Sequence, residues 1–348
     1  MAANDFTPIP RDASSTHADA EAKDAIRNSA KDIFVFNGDA DGLCALQQLR
    51  LSEGAGAALV TGVKRDIQLL SRVEAGPDCR VTVLDLSHDR NRADVERLLS
   101  AGATVRYFDH HYAGDLPAHP RFESHIDTAP DVCTSTLVNR HVDGRYVKWA
   151  VAAAFGDSLP AVGQALGREQ GLAPEVVDAL ALLGRCLNYN AYGEDIDDLF
   201  YPPQVLADAM LPHADPLAFI ADSGMLPVLA DGYRDDLQAA RAVSPEFDMP
   251  GAAMLVLPDE RWARRVSGVL ANELTQLGPA RALAILSPRR GGGYVVSVRV
   301  PACRPLGADD FCRSFDTGGG RRLAAGINHL PEVDVDRFAA SFKAAFAD

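Results

Sequence analysis

Three apolar stretches of this chain end in the same way. Asp32-Ile33-Phe34-Val35-Phe36 runs into Asn37-Gly38-Asp39-Ala40-Asp41-Gly42. Arg80 to Leu86 carries Asp85 near its end, in Val83-Leu84-Asp85-Leu86-Ser87, and Ala103 to Phe108 runs into Asp109-His110-His111. Short, nearly continuous apolar runs bounded by turns read as strands buried on both faces, which is how parallel sheets covered by helices look in sequence. The carboxyl ends of such strands open into one crevice, where ligands bind. The pattern therefore predicts a parallel α/β unit that gathers acidic groups at one edge.

The segments between fit that layout. Helices are expected over Leu43–Leu51, Ile67–Val73 and Asn91–Ser100, and strands over Ala57–Val63 and Glu123–Ile126. Further helices are expected over Asp131–Val142, Tyr146–Phe155 and Leu159 to about Asn190. Leu206 to Arg241 is again helical in pattern, interrupted by Pro212, Pro216 and Pro227. From Ala252 the pattern changes: strands over Ala253–Leu257, Ala282–Leu286 and Tyr294–Val300, a helix over Arg264–Leu277, and a closing amphipathic helix over Val335–Phe346. Two domains of ordinary size follow from 348 residues. The expected division is a disordered tail over 1–30, an α/β domain over 31–198, a helical connector over 199–250 and a smaller mixed-sheet domain over 251–348.

Each acidic spot has two readings. Asp39 and Asp41, at i and i+2 beside glycines, suit a turn with an N-cap and equally suit a pair of metal ligands. Asp85 sits among apolar neighbours, where an ionised carboxylate is costly without a partner or a metal, and no basic residue lies beside it. The carboxylate and imidazoles of Asp109-His110-His111 can bind a hard divalent ion and present a phosphate oxygen to it. Asp157, in Ala154-Phe155-Gly156-Asp157-Ser158, is a turn residue or a further ligand. In the last third, Gly318-Gly319-Gly320 reads as a turn entering a short helix whose backbone N–H groups could close on an anion, with Arg321, Arg322 and Arg299 nearby. Arg289-Arg290-Gly291-Gly292-Gly293 reads as an exposed hairpin loop without a role.

Charge narrows the partners. The chain carries a formal net charge of −14, but residues 250–348 carry +3 and the remainder −17. An acidic body excludes a broad duplex footprint and places any anion-holding surface in the Arg-rich C-terminal part. The six cysteines form no CxxC pair and read as reduced, buried thiols. No apolar stretch reaches membrane-spanning length and the first residues lack the order of a secretory signal, so the cytoplasm is the expected compartment.

With these motifs in order, the chain from about Ile33 to Phe346 resembles the DHH phosphoesterases with a DHH-associated C-terminal domain, in their RecJ-like and nanoRNase-like branch. The resemblance implies a parallel-sheet α/β/α domain, a helical connector and a smaller mixed-sheet domain facing it across a cleft. It implies two divalent cations, Mn²⁺ above Mg²⁺ or Co²⁺, held by Asp39, Asp41, Asp85, His110 and Asp157, with Asp85 as the bridge. Asp85, Asp109 and His111 would be catalytic, His111 contacting the scissile phosphate. Arg299, Gly318, Gly319, Gly320 and Arg321 would hold phosphate or nucleotide. Two departures stand out. Val35 occupies a position where many members have a metal-binding His, and Asn37 replaces the first Asp of the RecJ motif, so the first metal site is short of ligands. Arg321 stands where the glycine signature usually runs into His. The implied activity is hydrolysis of phosphodiester or phosphomonoester bonds in small nucleotides or short single-stranded oligonucleotides, with a homodimer left open. The alternatives are a polyphosphatase or pyrophosphatase, and a non-catalytic nucleotide-binding relative.

Overall fold

The computed structural model describes residues 31–348, so the tail expected over residues 1–30 lies outside the described residues. The first part runs β1 (Asp32–Asn37), α1 (Ala40–Glu53), β2 (Ala58–Gly62), β3 (Arg80–Leu84), α2 (His88–Ser100), β4 (Thr104–Asp109) and β5 (Phe122–Ile126). These strands form one parallel sheet in the order β2-β1-β3-β4-β5. The chain leaves β1 for one neighbour and returns to its other side, which makes the β1/β3 boundary a switch point where a crevice opens.

Alternation along β1 shows why the run is apolar throughout. Phe34 and Phe36 enter one core while Ile33 and Val35 enter another on the opposite face, with Val60, Val83 and Leu98 of α2. The Phe face is covered by α1 together with α3 (Thr134–His141), α4 (Val147–Gly156), α5 (Pro160–Glu169) and α6 (Pro174–Asn190). The helix expected over Ile67–Val73 is instead a single 3-10 turn, Leu69–Arg72. The Ile67 carbonyl accepts from Asn91 Nδ2 of α2 at 2.7 Å. Arg97 of the same helix takes the carbonyls of Leu70, which also closes the turn with the Val73 N–H, and of Val73, at 3.0 Å each.

Three helices follow: α7 (Pro203–Met210), α8 (Pro216–Asp222) and α9 (Met225–Arg241). Leu206, Met210 and Phe219 of α7 and α8 belong to the first core. The long helix α9 spans both parts, with Leu226 and Leu229 in the first core and Leu237 and Ala240 in the second.

The second part runs β6 (Phe247–Asp248), β7 (Ala252–Val256), α10 (Arg261–Leu277), β8 (Ala282–Pro288), β9 (Tyr294–Arg299), α11 (Ala308–Cys312), β10 (Gly318–Arg321), β11 (Ala324–Leu330) and α12 (Val335–Phe346). Its sheet has the order β10-β11-β9-β8-β7-β6, mixed because only β7 and β8 are parallel. Val266 and Leu270 of α10 cover one face, and Phe311, Phe315, Phe338, Phe342 and Phe346 fill the other.

The glycine run departs from its expected form. No helix follows it: Gly318–Arg321 is an edge strand that pairs antiparallel with Ala324–Leu330. The glycines serve close approach. A Cβ on Gly318 would stand 1.8 Å from the Cys312 carbonyl oxygen, and Gly320 has φ +142° with Ala325 Cα 2.5 Å from where its Cβ would be.

The loop Arg289–Gly293, expected to be without a role, ties the two parts together. Arg290 Nη2 donates to Asp198 at 2.7 Å, Arg290 Nη1 to Asp195 at 2.5 Å, and Arg289 Nε to Glu194 at 3.3 Å. Asp198, fully buried, also takes Arg264 Nε and Nη2 at 3.0 Å and the Glu194 backbone N–H at 2.9 Å.

Candidate metal centre

The carboxyl ends of β1, β3 and β4 deliver their acids to one crevice, as the strand pattern requires. Asp39 is the N-cap of α1, its Oδ1 accepting from the backbone of Asp41 at 3.0 Å and Gly42 at 3.1 Å. Asp41 lies in the first turn of α1 and is held by the start of α3. Thr134 N and Ser135 N each donate to its carboxylate at 2.7 Å. Asp85 follows β3 directly in a left-handed conformation, φ +59°, that a non-glycine residue adopts only when its surroundings enforce it. Thr134 Oγ1 donates to Asp85 Oδ1 at 3.1 Å. Asp157 caps the end of α4.

The two histidines point differently. His110 Nδ1 stands 2.9 Å from the Val132 carbonyl, a contact that requires the proton on Nδ1. In the neutral ring Nε2 then keeps the lone pair, and it faces Asp85 Oδ1 at 3.4 Å and Asp157 Oδ2 at 3.7 Å. His111 Nδ1 stands 2.7 Å from Asp109 Oδ1, and its ring is half exposed on the cleft. Asp109 is buried beneath it, and its Oδ2 has no hydrogen-bond partner among the described residues. Asp109 thus orients His111.

Ligand atoms of Asp41, His110 and Asp157 lie within 4.8 Å of one another, and so do those of Asp85, His110 and His111. The acids raise one another's pKa, because burial and neighbouring carboxylates both oppose their ionisation. Burial and the charge of Asp85 push Asp41 up to about 7. Burial and Asp39 push Asp85 to about 6. Burial, Asp41 and Asp39 push Asp157 to about 7. Burial opposes the His110 imidazolium, but Asp85, Asp41 and Asp157 outweigh it and raise His110 to about 10. Crowded, desolvated oxygens beside an imidazole with a fixed tautomer suit a hard divalent ion.

Lys64 is the residue that sequence reasoning missed. Its Nζ binds Asp39 Oδ2 and donates to Asn188 Oδ1 at 2.8 Å, close to the Tyr192 ring at 5.6 Å. Burial opposes its charge, but Asp39, Tyr192 and Asp157 outweigh this and raise its pKa. Asp39 is lowered despite burial because Lys64 is its partner. A signal was present: Lys64 lies just past β2, so it too is at the carboxyl edge of the sheet.

The crevice of about 920 Å³ is lined by Asp39, Lys64, Asp85, His110, His111, Asp157 and, from the second part, Arg321. Arg299 lines a neighbouring cavity of about 230 Å³ with Arg185, Tyr192, Tyr233 and Asn272, and donates to Asn272 Oδ1 from Nε and Nη2. Gly318, Gly319 and Gly320 shape the hairpin that carries Arg321, and they do not line the crevice. Val35 is wholly within the apolar core and Asn37 donates its amide to the Lys64 carbonyl at 3.3 Å.

No family model and no curated protein matches the sequence. Solved structures do. An exonuclease RecJ bound to manganese superposes with a TM-score of 0.64 at 19% identity, covering 93% of this chain and 93% of that one. A DHH domain described as belonging to a family of ribosomal proteins gives 0.60 at 14% identity, covering 94% and 89%. RecJ from Thermus thermophilus in complex with Mn²⁺ gives 0.58 at 19% identity, with 94% of this chain on 53% of that one. Both sheets are included in these superpositions, and the chain has the fold of the DHH phosphoesterases.

Proposed function

We propose that the chain is a divalent-metal-dependent phosphoesterase acting on small nucleotides or short single-stranded oligonucleotides. The observation that carries this is the convergence of Asp41, Asp85 and Asp157 around His110, whose Nε2 faces Asp85 at 3.4 Å and Asp157 at 3.7 Å. RecJ structures of like fold hold Mn²⁺ and, in one case, Mg²⁺, which supports a divalent ion of this kind.

A bound divalent ion would lower the pKa of a water and stabilise charge developing on phosphorus. The protein supplies the rest. Asp41 and Asp157 are held in place by α3 and α4, and Asp85 by its enforced backbone and Thr134. His111, oriented by Asp109, offers its other ring nitrogen to a phosphate or departing oxygen. Arg321 neutralises phosphate from across the crevice. In hydrolysis water oxygen bonds to phosphorus, the P–O bond to the leaving group breaks, and the leaving oxygen takes a proton.

The neighbouring cavity supports a nucleotide over polyphosphate. Tyr192 and Tyr233 provide ring faces for a base, while Arg185, Asn272 and Arg299 provide donors and an acceptor. Purified protein incubated with dinucleotides, short single-stranded RNA and DNA, adenosine bisphosphate, cyclic dinucleotides and polyphosphate, each with Mn²⁺ or Mg²⁺, should release mononucleotide or phosphate from the nucleotide members. Turnover of polyphosphate alone would replace the substrate assignment. Nucleotide binding without any turnover would make the chain a non-catalytic relative.

A further inference from the structure

We infer that Lys64 supplies, as a fixed ammonium, the positive charge that a second divalent ion would bring beside Asp39, so that the centre holds one divalent ion on Asp41, His110 and Asp157, with Asp85 at its edge. This rests on the metal-dependent reading above.

The two sides of the crevice are built differently. On the Asp41 side three ligand atoms, from two carboxylates and an imidazole, already lie within 4.8 Å of one another, and Asp85 Oδ1 stands 3.4 Å from His110 Nε2. Both oxygens of Asp41 also accept hydrogen bonds, but from the neutral backbone N–H groups of Ser135 and Thr134, whereas the Asp39 carboxylate is paired with a cation. Asp39 Oδ1 caps α1 through Asp41 N and Gly42 N, and Oδ2 is bound by Lys64.

Lys64 is itself clamped at three points. Its backbone N–H donates to the Ala191 carbonyl at 3.0 Å, its carbonyl accepts from Asn37, and its ammonium also holds Asn188 at 2.8 Å. Its side chain is only 25% exposed. Little remains there for a metal. Val35 is core, and beside Asp39 stand the neutral Asn37, whose Oδ1 has no hydrogen-bond partner among the described residues, and Asp85, whose carboxylate is shared with His110 and His111. A hard divalent ion takes several oxygens, preferably charged, and would have to displace a lysine already paired with Asp39.

An ammonium and a divalent ion are not equivalent. The ammonium neutralises charge and donates hydrogen bonds to a phosphate oxygen, but it cannot acidify a ligated water. The attacking water would therefore be activated on the Asp41 side, and Lys64 would act on the phosphate from the other side.

The test counts metal. The full chain, stripped with chelator and titrated with Mn²⁺ near neutral pH, should take one equivalent by calorimetry. Its electron paramagnetic resonance spectrum should be that of an isolated ion rather than an exchange-coupled pair. The Asp39→Asn variant keeps the cap acceptor and should retain that equivalent, whereas Asp41→Asn should lower Mn²⁺ affinity at least tenfold. Two equivalents with a coupled spectrum in the native chain, or loss of the ion in Asp39→Asn protein whose circular dichroism is unchanged, would overturn the role of Lys64 and leave the metal-dependent reading intact. No bound Mn²⁺ in the native chain would overturn both. If Asp39→Asn does not fold, the native count and spectrum decide.

Discussion

Asp198 is the anchor of the joint between the two sheets, and replacing it with Asn tests whether that joint is held by charge. The carboxylate lies at the centre of donors from both parts: Arg264, Arg290 and the Glu194 backbone. Burial alone would raise its pKa, but hydrogen bonds from Arg264, Glu194 N–H and Arg290 reverse that and depress it from 3.8 to about 2. A depression of this size corresponds to roughly 2–3 kcal/mol in favour of the ionised form. The Arg290 side chain is 37% exposed, so solvent screens part of the interaction. A range of about 1–2.5 kcal/mol is appropriate.

Asn keeps one acceptor oxygen and replaces the other with an amide NH₂, so Asp198→Asn removes the charge together with one of the two acceptors. The sign follows from the direction of the shift. A depressed folded-state pKa gives stability that is complete above the unfolded value near 3.8 and is lost as pH falls toward about 2. Urea unfolding should therefore show native protein more stable than Asp198→Asn by about 1–2.5 kcal/mol at pH 7, with the same gap at pH 6. The gap should narrow to about half near pH 3. A gap under about 0.5 kcal/mol at pH 7, or one that stays constant down to pH 3, would refute an electrostatic joint.

Three other outcomes are expected. Asp85→Ala should abolish turnover while leaving the unfolding transition in place, and near-normal kcat in that variant would remove Asp85 from the site. Arg299→Ala should raise KM for a dinucleotide several-fold with unchanged Mn²⁺ content, because Arg299 lines the tyrosine cavity rather than the acidic crevice; an unchanged KM would remove it from substrate binding. Gly184→Ala should destabilise by about 3 kcal/mol, the upper end for overpacking. A Cβ there would stand 1.9 Å from the Ala152 carbonyl oxygen and force α6 away from α4, the helix that carries Asp157; an unchanged urea midpoint would show that these helices give way freely.

Much of this architecture is legible because it is local. An apolar run buried on both faces announces itself in consecutive residues, and the acids at its end follow from the same few positions. Asp39, Asp41, Asp85, His110, His111 and Asp157 meet in the structure because each sits at the end of an element, and ends are what short-range patterns locate. Where sequence and structure part, the local pattern has two physical solutions. Gly318-Gly319-Gly320 is as suitable for an edge strand pressed against α11 as for an anion-binding turn. Contact with Cys312, distant in pattern though near in chain, makes the choice. Ile67–Val73 has a helical spacing of apolar residues, but the Ile67 carbonyl that would begin the helix is taken by Asn91 of α2.

What sequence reading does not reach is the set of groups that decide how each acid is used, since their partners lie far along the chain. Asp41 is held by Thr134 and Ser135, 93 and 94 positions away, and Lys64 binds Asp39, 25 positions before it, and Asn188, 124 positions after it. In sequence, Val35 and Asn37 look like absences in a metal site. In the structure they are parts of a different arrangement, one a core residue and the other a support for the Lys64 backbone. Without a histidine at position 35 and an acid at position 37, Asp39 is left with one strong partner to find, and β2 ends where a lysine can reach it. The same six acidic and imidazole side chains would sustain two ions or one according to what the neighbouring strand end brings. Motif order therefore speaks to the fold, while on the inference drawn above the number of ions turns on Lys64, a residue outside every motif.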